Sequence, residues 1–252
     1  MVLLATDPAP TEQPAAKVPS AASVRPAAVP GKSVTRAKKA GQPTGTTAAL
    51  KKANILMAIG ATGSGKSTRV KADIERLRLR RLMVWDWMRE YDDYPAFTSM
   101  DQLARHVAAS PEFAVRFLPS YDKKTREAQF DLFCRLAMAV GNMGILCEEL
   151  SQVVRANGGG AGWTQVLTAG RHKGLHVYGT SQRPALVDKT ALSQATRLYC
   201  GNLELPDDVE IMGKMLGVPP AEIQALGPWD FIEKHRETKT LHRGNLSNGP
   251  PK

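Results

Sequence analysis

The stretch GATGSGKST, residues 60–68, has the residue types and the spacing of a phosphate-binding loop. It matches the pattern G-x-x-x-x-G-K-[ST], in which glycines let successive backbone N–H groups turn inward around an anion. In such a loop Lys66 reaches the β- and γ-phosphates of a nucleotide, and the Ser67 hydroxyl holds Mg²⁺. The predicted nucleotide-binding residues are Gly60, Ala61, Thr62, Gly63, Ser64, Gly65, Lys66, Ser67 and Thr68.

The segments that flank this loop predict the elements that must position it. NILMAIG, before the loop, is a short apolar run of the kind that forms a buried parallel strand. KSTRVKADIERLRLR, after it, places Val70, Ile74 and Leu77 at helical spacing. Strand, loop and helix thus occur in the order that directs a helix N-terminus at a phosphate, which an incidental glycine-rich turn would not require.

A second apolar segment, GNMGILCEEL, ends in two carboxylates. We predict a strand over Met143 to Cys147, then Glu148 at the Mg²⁺ ion and Glu149 as the base that orients and deprotonates an attacking water. Adjacent acids in these positions favour hydrolysis of a nucleotide by water over transfer of its phosphate to a small molecule. The ordinary alternative is that both glutamates begin an exposed helix.

The segment TAGRHKGLHVYGTSQRP, residues 168–184, predicts a third part of the site. Its pattern indicates a helix that ends near Arg171, a turn at Gly174, and a strand that ends just before Gln182. Ligands of open parallel sheets gather at the carboxyl ends of the strands. We therefore expect Gln182 to face the γ-phosphate.

These motifs resemble the FtsK/HerA superfamily of P-loop motor ATPases, in which a GR…G turn precedes a strand that ends in a TQRP-like stretch. Here the residues are GRHKGLHVYGTSQRP, and the resemblance extends from Ile55 to about Leu216. The short length and single ATPase domain look most like viral genome-packaging ATPases, which drive duplex DNA into a preformed capsid. One departure is Glu148, because many P-loop ATPases have aspartate in this position.

The resemblance implies roles for particular residues. It makes Gln182 a sensor of the γ-phosphate and implies an arginine finger, a guanidinium inserted into the site of a neighbouring subunit. Arg171, in the GRHKG turn, is the first candidate, and Arg155 and Arg183 are alternatives. A finger supplied by a neighbour implies a homo-oligomeric ring, which is usually a hexamer in this superfamily.

Two further segments allow more than one interpretation. DWMREYDDYP, residues 86–95, carries aromatic side chains that either stack on a base, line a subunit interface, or simply close the edge of the core. The glycine-rich stretch around residues 158–162, with Arg155 nearby, either follows a DNA backbone in a central pore or is a plain connection.

Composition divides the chain into an arm, a folded domain and a tail. Residues 1–50 are rich in alanine and proline and poor in large apolar side chains, which predicts a disordered arm. Residues 1–52, the arm and the two lysines that follow it, contain eight basic and two acidic residues and so carry +6 of the formal net charge of +10. Such a basic arm meets nucleic acid or an acidic protein surface, or only aids solubility. We predict an ATPase domain over residues 51–242 and a loose tail over residues 243–252.

The three cysteines, Cys134, Cys147 and Cys200, are widely spaced and form no CxxC pair, which argues against a zinc site or a disulfide framework. The sequence has no apolar run of the roughly 18 residues needed to span a bilayer. We expect a soluble, intracellular protein in the cytoplasm of a host, or one associated with a virion.

Alternating strands and helices predict an α/β fold, a RecA-like P-loop NTPase with a mainly parallel central sheet and helices on both faces. The predicted function is that of an ATPase, with ATP and Mg²⁺ as cofactors, that translocates double-stranded DNA into a viral capsid. The predicted partners are double-stranded DNA and capsid or portal-vertex proteins. Alternatives are a plasmid-transfer or chromosome-segregation ATPase and, from another class, a small-molecule P-loop kinase.

Overall fold

The computed structural model describes residues 54–248, which form nine strands and seven α-helices. The strands are β1 Ile55–Ile59, β2 Arg81–Trp85, β3 Ala96–Phe97, β4 Phe113–Phe117, β5 Met143–Cys147, β6 Leu175–Ser181, β7 Arg197–Cys200, β8 Asp230–His235 and β9 Thr240–Asn245. The helices are α1 Lys66–Leu77, α2 Met100–Ala109, α3 Lys123–Val140, α4 Gly160–Ala169, α5 Lys189–Gln194, α6 Pro206–Leu216 and α7 Pro220–Gln224.

The strands form one sheet in the order β3-β4-β2-β5-β6-β1-β7-β8-β9. Every pairing from β3 to β7 is parallel, and β8 and β9 add to the β7 edge in antiparallel fashion. The predicted α/β fold with a mainly parallel sheet is therefore confirmed.

Helices cover both faces of this sheet, as the alternation of side chains in β1 shows. Leu56 and Ala58 of β1 belong to a core cluster that includes Val70 of α1. Met57 and Ile59 point to the other face and belong to a larger cluster with residues of α3, α4, α5 and α6. Because both faces are buried, the sequence of the strand is a continuous run of apolar residues.

The parallel arrangement brings the ends of three strands together. Ile59, at the end of β1, is in register with Ser181 at the end of β6. Cys147, at the end of β5, is in register with Gly179 of β6. The segments that follow β1, β5 and β6 therefore emerge at the same edge of the sheet. These segments carry the phosphate-binding loop, the acid pair and Gln182.

The prediction of a loose tail from residue 243 is wrong for residues 243–246. Strand β9 continues to Asn245, paired with Asp230 of β8. Leu246 is only 6% exposed and packs in the core cluster with Tyr199 and Phe231. The prediction failed because most β9 side chains are polar and exposed, so the strand is held by backbone pairing and by one apolar residue beyond it.

The predicted arm, residues 1–50, lies outside the described residues, as does the end of the tail, residues 249–252. The boundary between the predicted arm and the ATPase domain stays a prediction. Among the described helices, none combines the length and the apolar character that a membrane span requires.

Candidate active site

The loop between β1 and α1 has the geometry that the glycine pattern predicted. Gly63 and Gly65 have φ values of 77° and 83°, which L side chains adopt only with strain. A Cβ atom on Gly65 would also stand 2.2 Å from Cδ1 of Leu246. The backbone angle therefore favours glycine at residue 65, and any side chain there would also displace the Leu246 methyl group.

Lys66 begins α1 and is folded back across the loop. Its ammonium group donates hydrogen bonds of 2.9 Å to the carbonyl oxygens of Gly60 and Ala61. Burial lowers the pKa of Lys66, an effect that the nearby carboxylates, chiefly Glu149, oppose. A partly desolvated cation at the first turn of a helix is a strong binding partner for phosphate oxygens, because little water screens it.

Glu148 lies at the end of β5, 3% exposed, and its Oε2 accepts a hydrogen bond of 3.1 Å from the Met88 N–H. The pKa of Glu148 is raised to about 8, mainly by burial and to a lesser degree by the carboxylates of Glu90 and Asp86. Crowded carboxylates of this kind are relieved by a cation. The described residues hold no cluster of three or more metal-ligating side chains. Mg²⁺ is usually bound by one or two side chains together with phosphate oxygens, and the Glu148 carboxylate and the Ser67 hydroxyl, which line the same pocket, fit that mode of binding.

Glu149 is fixed in one orientation by its neighbours. Its backbone is left-handed, with φ 48° and ψ 62°, and its N–H donates to the Thr180 hydroxyl over 3.1 Å. Its Oε1 accepts hydrogen bonds from the Ser151 hydroxyl at 3.1 Å and from the Gln182 N–H at 3.0 Å. A left-handed conformation is uncommon for glutamate and is tolerated where the surroundings determine it. The result is a carboxylate presented to the pocket at a fixed position.

Gln182 connects Glu149 to the phosphate-binding loop. Its side-chain Nε2 lies 3.4 Å from Oε2 of Glu149, and its Oε1 accepts a hydrogen bond of 3.1 Å from the Thr62 hydroxyl. The structure thus places Gln182 between the acid and the loop. Its contact with a γ-phosphate stays a prediction.

These residues line one cavity of about 250 Å³. The lining residues are Thr62, Gly63, Gly65, Lys66, Ser67, Thr68, Met88, Glu90, Glu148, Glu149, Thr180, Gln182 and Trp229. Four of them, Met88, Glu90, Thr180 and Trp229, were not predicted as site residues. Met88 and Glu90 belong to the aromatic and acidic segment after β2 whose role the sequence left open. Trp229 had no local signal, because its position depends on how β8 joins the sheet.

The aromatic residues of the segment after β2 pack against the core. Tyr91 is 4% exposed, and Tyr94 packs with it against one core cluster. Trp87 is partly buried against the larger cluster and also makes an edge contact with Tyr121, with ring centroids 5.7 Å apart. Closing the edge of the core is thus a role of all three residues.

The three candidate arginine fingers differ in their surroundings. Arg155 pairs with Glu127 at 3.0 Å and Arg183 pairs with Asp208 at 2.7 Å. Arg171 is exposed and lies in the turn before β6, at the edge of the sheet opposite the phosphate-binding loop. The length of β6, seven residues or roughly 20 Å, separates it from the pocket of its own subunit.

The glycine-rich stretch is only partly a loop. Helix α4 begins at Gly160, so Gly162 is helical rather than part of a connection. A Cβ on Gly162 would stand 2.6 Å from the Asp131 carbonyl oxygen, and its N–H donates to the Asp131 carboxylate. Gly162 therefore serves the close packing of α4 on α3, whereas Gly158 has open space around it.

Comparison with known proteins places this geometry in context. No protein-family model matches the chain. Protein P9 of Pseudoalteromonas phage PM2 is 29% identical over 174 residues, which cover 68% of this chain and 78% of that protein.

Two solved structures share the fold at low sequence identity. The genome packaging NTPase B204 from Sulfolobus turreted icosahedral virus 2, in complex with AMPPCP, matches with a TM-score of 0.63 and 16% identity, covering 79% of this chain and 98% of that chain. The plasmid coupling protein TrwB, in complex with the ATP analogue ADPNP, matches with a TM-score of 0.59 and 14% identity. The match covers 76% of this chain and 84% of that chain. The chain therefore has the P-loop NTPase fold of the viral genome packaging NTPase and the plasmid coupling protein, as its resemblance to the FtsK/HerA superfamily predicted.

Proposed function

We propose that this protein is a Mg²⁺-dependent ATPase that translocates double-stranded DNA, in the packaging of a viral genome into a preformed capsid. The observation that carries the proposal is the meeting of the phosphate-binding loop, the acid pair and Gln182 in one pocket at one edge of the sheet. The shared fold of a viral genome packaging NTPase supports the assignment to packaging. The shared fold of a plasmid coupling protein supports a plasmid-transfer ATPase as the alternative setting for the same activity.

The pocket residues have different proposed roles in nucleotide hydrolysis. Backbone N–H groups of the loop and the Lys66 ammonium bind the β- and γ-phosphates, exchanging the carbonyl partners of Lys66 for phosphate oxygens. The Ser67 hydroxyl and the Glu148 carboxylate would hold Mg²⁺. The ion would supply positive charge that stabilises the leaving diphosphate.

Glu149 acts as the general base. As the water oxygen bonds to the γ-phosphorus and the bond to the bridging oxygen breaks, the water proton passes to the Glu149 carboxylate. Gln182 holds that carboxylate through its backbone N–H and contacts the loop through Thr62, so it is placed to report whether a γ-phosphate is bound. A carboxylate base takes a proton from water and from an acceptor hydroxyl alike. We favour water as the acceptor because the fold is shared with a genome packaging NTPase.

Arg171 is the proposed arginine finger. Its exposed side chain at the edge opposite its own pocket is accessible to a neighbouring subunit, whereas Arg155 and Arg183 are already paired. We propose that subunits assemble as a homo-oligomeric ring, a hexamer, in which Arg171 of one subunit completes the site of the next. The ring would work in the host cytoplasm, at the portal vertex of the capsid.

The function is tested first by steady-state ATP hydrolysis with and without long duplex DNA. We expect DNA to raise the rate several-fold, and Lys66→Ala to abolish nucleotide binding and turnover because the loop loses its cation. Lys214→Ala, which removes a surface lysine paired with Glu210, is the matched control and should behave as wild type. Hydrolysis that is indifferent to DNA would contradict the translocase proposal, and γ-phosphate appearing on a small acceptor would support the kinase instead.

The finger is tested by mixing two inactive variants. Arg171→Ala is expected to lower turnover roughly 10³-fold while nucleotide binding is retained, because the charge in the transition state loses its partner. Adding the Lys66→Ala protein, which keeps Arg171, should restore part of the activity in mixed rings. Arg80→Ala, at an exposed ion pair with Glu112, should leave turnover unchanged. Full activity of Arg171→Ala, or no recovery on mixing although rings form, would remove Arg171 from this role.

A further inference from the structure

Trp229 presents an exposed indole to the candidate active site. The side chain is 43% exposed and lines the same cavity as Thr68 of α1. Its backbone is left-handed, with φ 67°, which is a genuine outlier for a bulky residue. Such strain persists only where surrounding contacts determine it, and it marks functional sites more often than other positions.

Contacts around the turn hold this strained conformation. The Trp229 carbonyl oxygen accepts a hydrogen bond of 3.0 Å from the Leu246 N–H. The Asn245 amide donates to the carbonyl oxygen of Pro228 at 3.2 Å and to the Asp230 carboxylate at 2.8 Å. Residues at the end of β9 thus fix the turn at the start of β8. The hairpin β8–β9 is built so that an aromatic ring stands in the pocket rather than in the core.

The order of the strands defines where the Trp229 indole lies relative to the phosphate-binding loop and Glu149. The phosphate-binding loop follows β1, Glu149 follows β5, and Trp229 precedes β8, in a sheet ordered β5-β6-β1-β7-β8. Because β8 is antiparallel, with Ile232 in register with Cys200 at the end of β7, its beginning lies at the same edge of the sheet. Glu149 and Trp229 therefore stand on opposite sides of the loop. A Cβ on Gly65 would be 3.5 Å from the indole Cε3, so the ring lies beside the loop itself.

We propose that Trp229 stacks on the base of the bound nucleotide. The inference rests on the proposed function: with the γ-phosphate at Glu149, the opposite end of the nucleotide extends past the loop toward the indole. An aromatic face beside a base gains stacking energy with every base, because each has a π-face.

The surroundings of the indole predict weak selection between purines. The carboxylate of the adjacent residue Asp230 is already engaged, because it accepts hydrogen bonds from the Gly227 N–H at 2.9 Å and from the Asn245 amide at 2.8 Å. A base held by stacking without hydrogen bonds to its edge is selected by ring size and not by its exocyclic groups. ATP and GTP analogues should therefore bind with similar affinity, and CTP analogues more weakly.

The experiment is a calorimetric titration of the full chain with Mg²⁺ and four ligands: non-hydrolysable analogues of ATP, GTP and CTP, and inorganic tripolyphosphate. Trp229→Ala should weaken binding of the ATP and GTP analogues roughly tenfold, leaving tripolyphosphate affinity unchanged, and Trp229→Phe should keep most of the affinity. Bound ATP analogue should also quench tryptophan fluorescence more strongly in wild type than in Trp229→Phe. The difference reports on Trp229, because Trp85, Trp87 and Trp163 are present in both proteins.

Each of the other possible outcomes contradicts a specific part of the proposal. If Trp229→Ala weakens the binding of tripolyphosphate as much as the binding of the ATP analogue, Trp229 supports the loop and does not contact the base. If Trp229→Ala binds every ligand as wild type does, there is no stack. If wild type prefers the ATP over the GTP analogue by more than about tenfold, the base edge is recognised and the predicted lack of selection is wrong. If folded wild type binds no triphosphate, the proposed function fails together with the stack, whereas the first three outcomes leave that function intact.

Discussion

Replacing Glu149 with glutamine is expected to lower ATP turnover by about 10² to 10⁴, the usual contribution of a general base, while nucleotide binding is retained. The carboxylate accepts hydrogen bonds from the Ser151 hydroxyl and the Gln182 N–H, and its backbone is held by Thr180. Glutamine has the same shape, and its amide oxygen can accept from the same donors. What it loses is the ability to take a proton from water, so the loss should fall on kcat and not on affinity.

Replacing Glu148 with glutamine distinguishes the proposed role of Glu148 from that of Glu149. Glu148 contacts the Met88 N–H and lies among Asp86 and Glu90, away from the donors that hold Glu149. We expect Glu148→Gln to raise the Mg²⁺ concentration needed for half-maximal turnover, which Glu149→Gln should leave unchanged. Glu127→Gln, at an exposed ion pair with Arg155, is the matched control.

The measurement is single-turnover hydrolysis together with equilibrium binding of ATP over a range of Mg²⁺ concentrations. If Glu149→Gln hydrolyses ATP within a factor of a few of wild type, Glu149 is not the base. If Glu148→Gln instead shows the Mg²⁺-independent loss of kcat, the two roles are exchanged.

The parts of the site that the sequence predicted are those encoded by short local patterns. The loop of residues 60–68, the strand before it and the helix after it lie within 25 residues of one another, and their spacing alone defines their chemistry. Glu149 and Gln182 were also predicted, because each directly follows an apolar strand and the strands of a parallel sheet end at one edge. Their mutual hydrogen bond, by contrast, depends on β5 and β6 being neighbours.

The parts that sequence reasoning missed depend on contacts between distant segments. Trp229 enters the pocket only because β8 joins β7 in antiparallel fashion, and Leu246 is buried only because β9 follows it. Arg69 and Asp73 of α1 are another case. In sequence they look like an exposed pair one helical turn apart, yet their side chains are 1% and 0% exposed because β7 and β8 extend over that face of the helix. No local pattern encodes such coverage.

The buried charges on α1 give the largest expected effect on stability. Glu233 of β8, whose side chain is fully buried, accepts hydrogen bonds from Nε and Nη2 of Arg69 at 2.6 Å and 2.9 Å, and from Nε of Arg197 at 2.9 Å. Arg197 also pairs with Asp73. Glu233→Gln keeps the shape but leaves two guanidinium groups with half of their compensating charge. Removing one partner of a buried ion pair costs about 3 to 5 kcal/mol, so we expect the melting temperature to fall by roughly 10 °C.

The matched control is Glu222→Gln, which removes a carboxylate paired with Arg243 at the surface and should cost less than about 1 kcal/mol. Adding Arg69→Met to Glu233→Gln should recover part of the loss, because one uncompensated charge is then removed with little change in volume. A melting temperature equal to that of wild type for Glu233→Gln would show that the network does not hold α1 to the sheet. The same network fixes the helix that carries Lys66 and the strand that follows Trp229. Nucleotide affinity, measured well below the melting temperature, should therefore fall in Glu233→Gln and remain unchanged in Glu222→Gln.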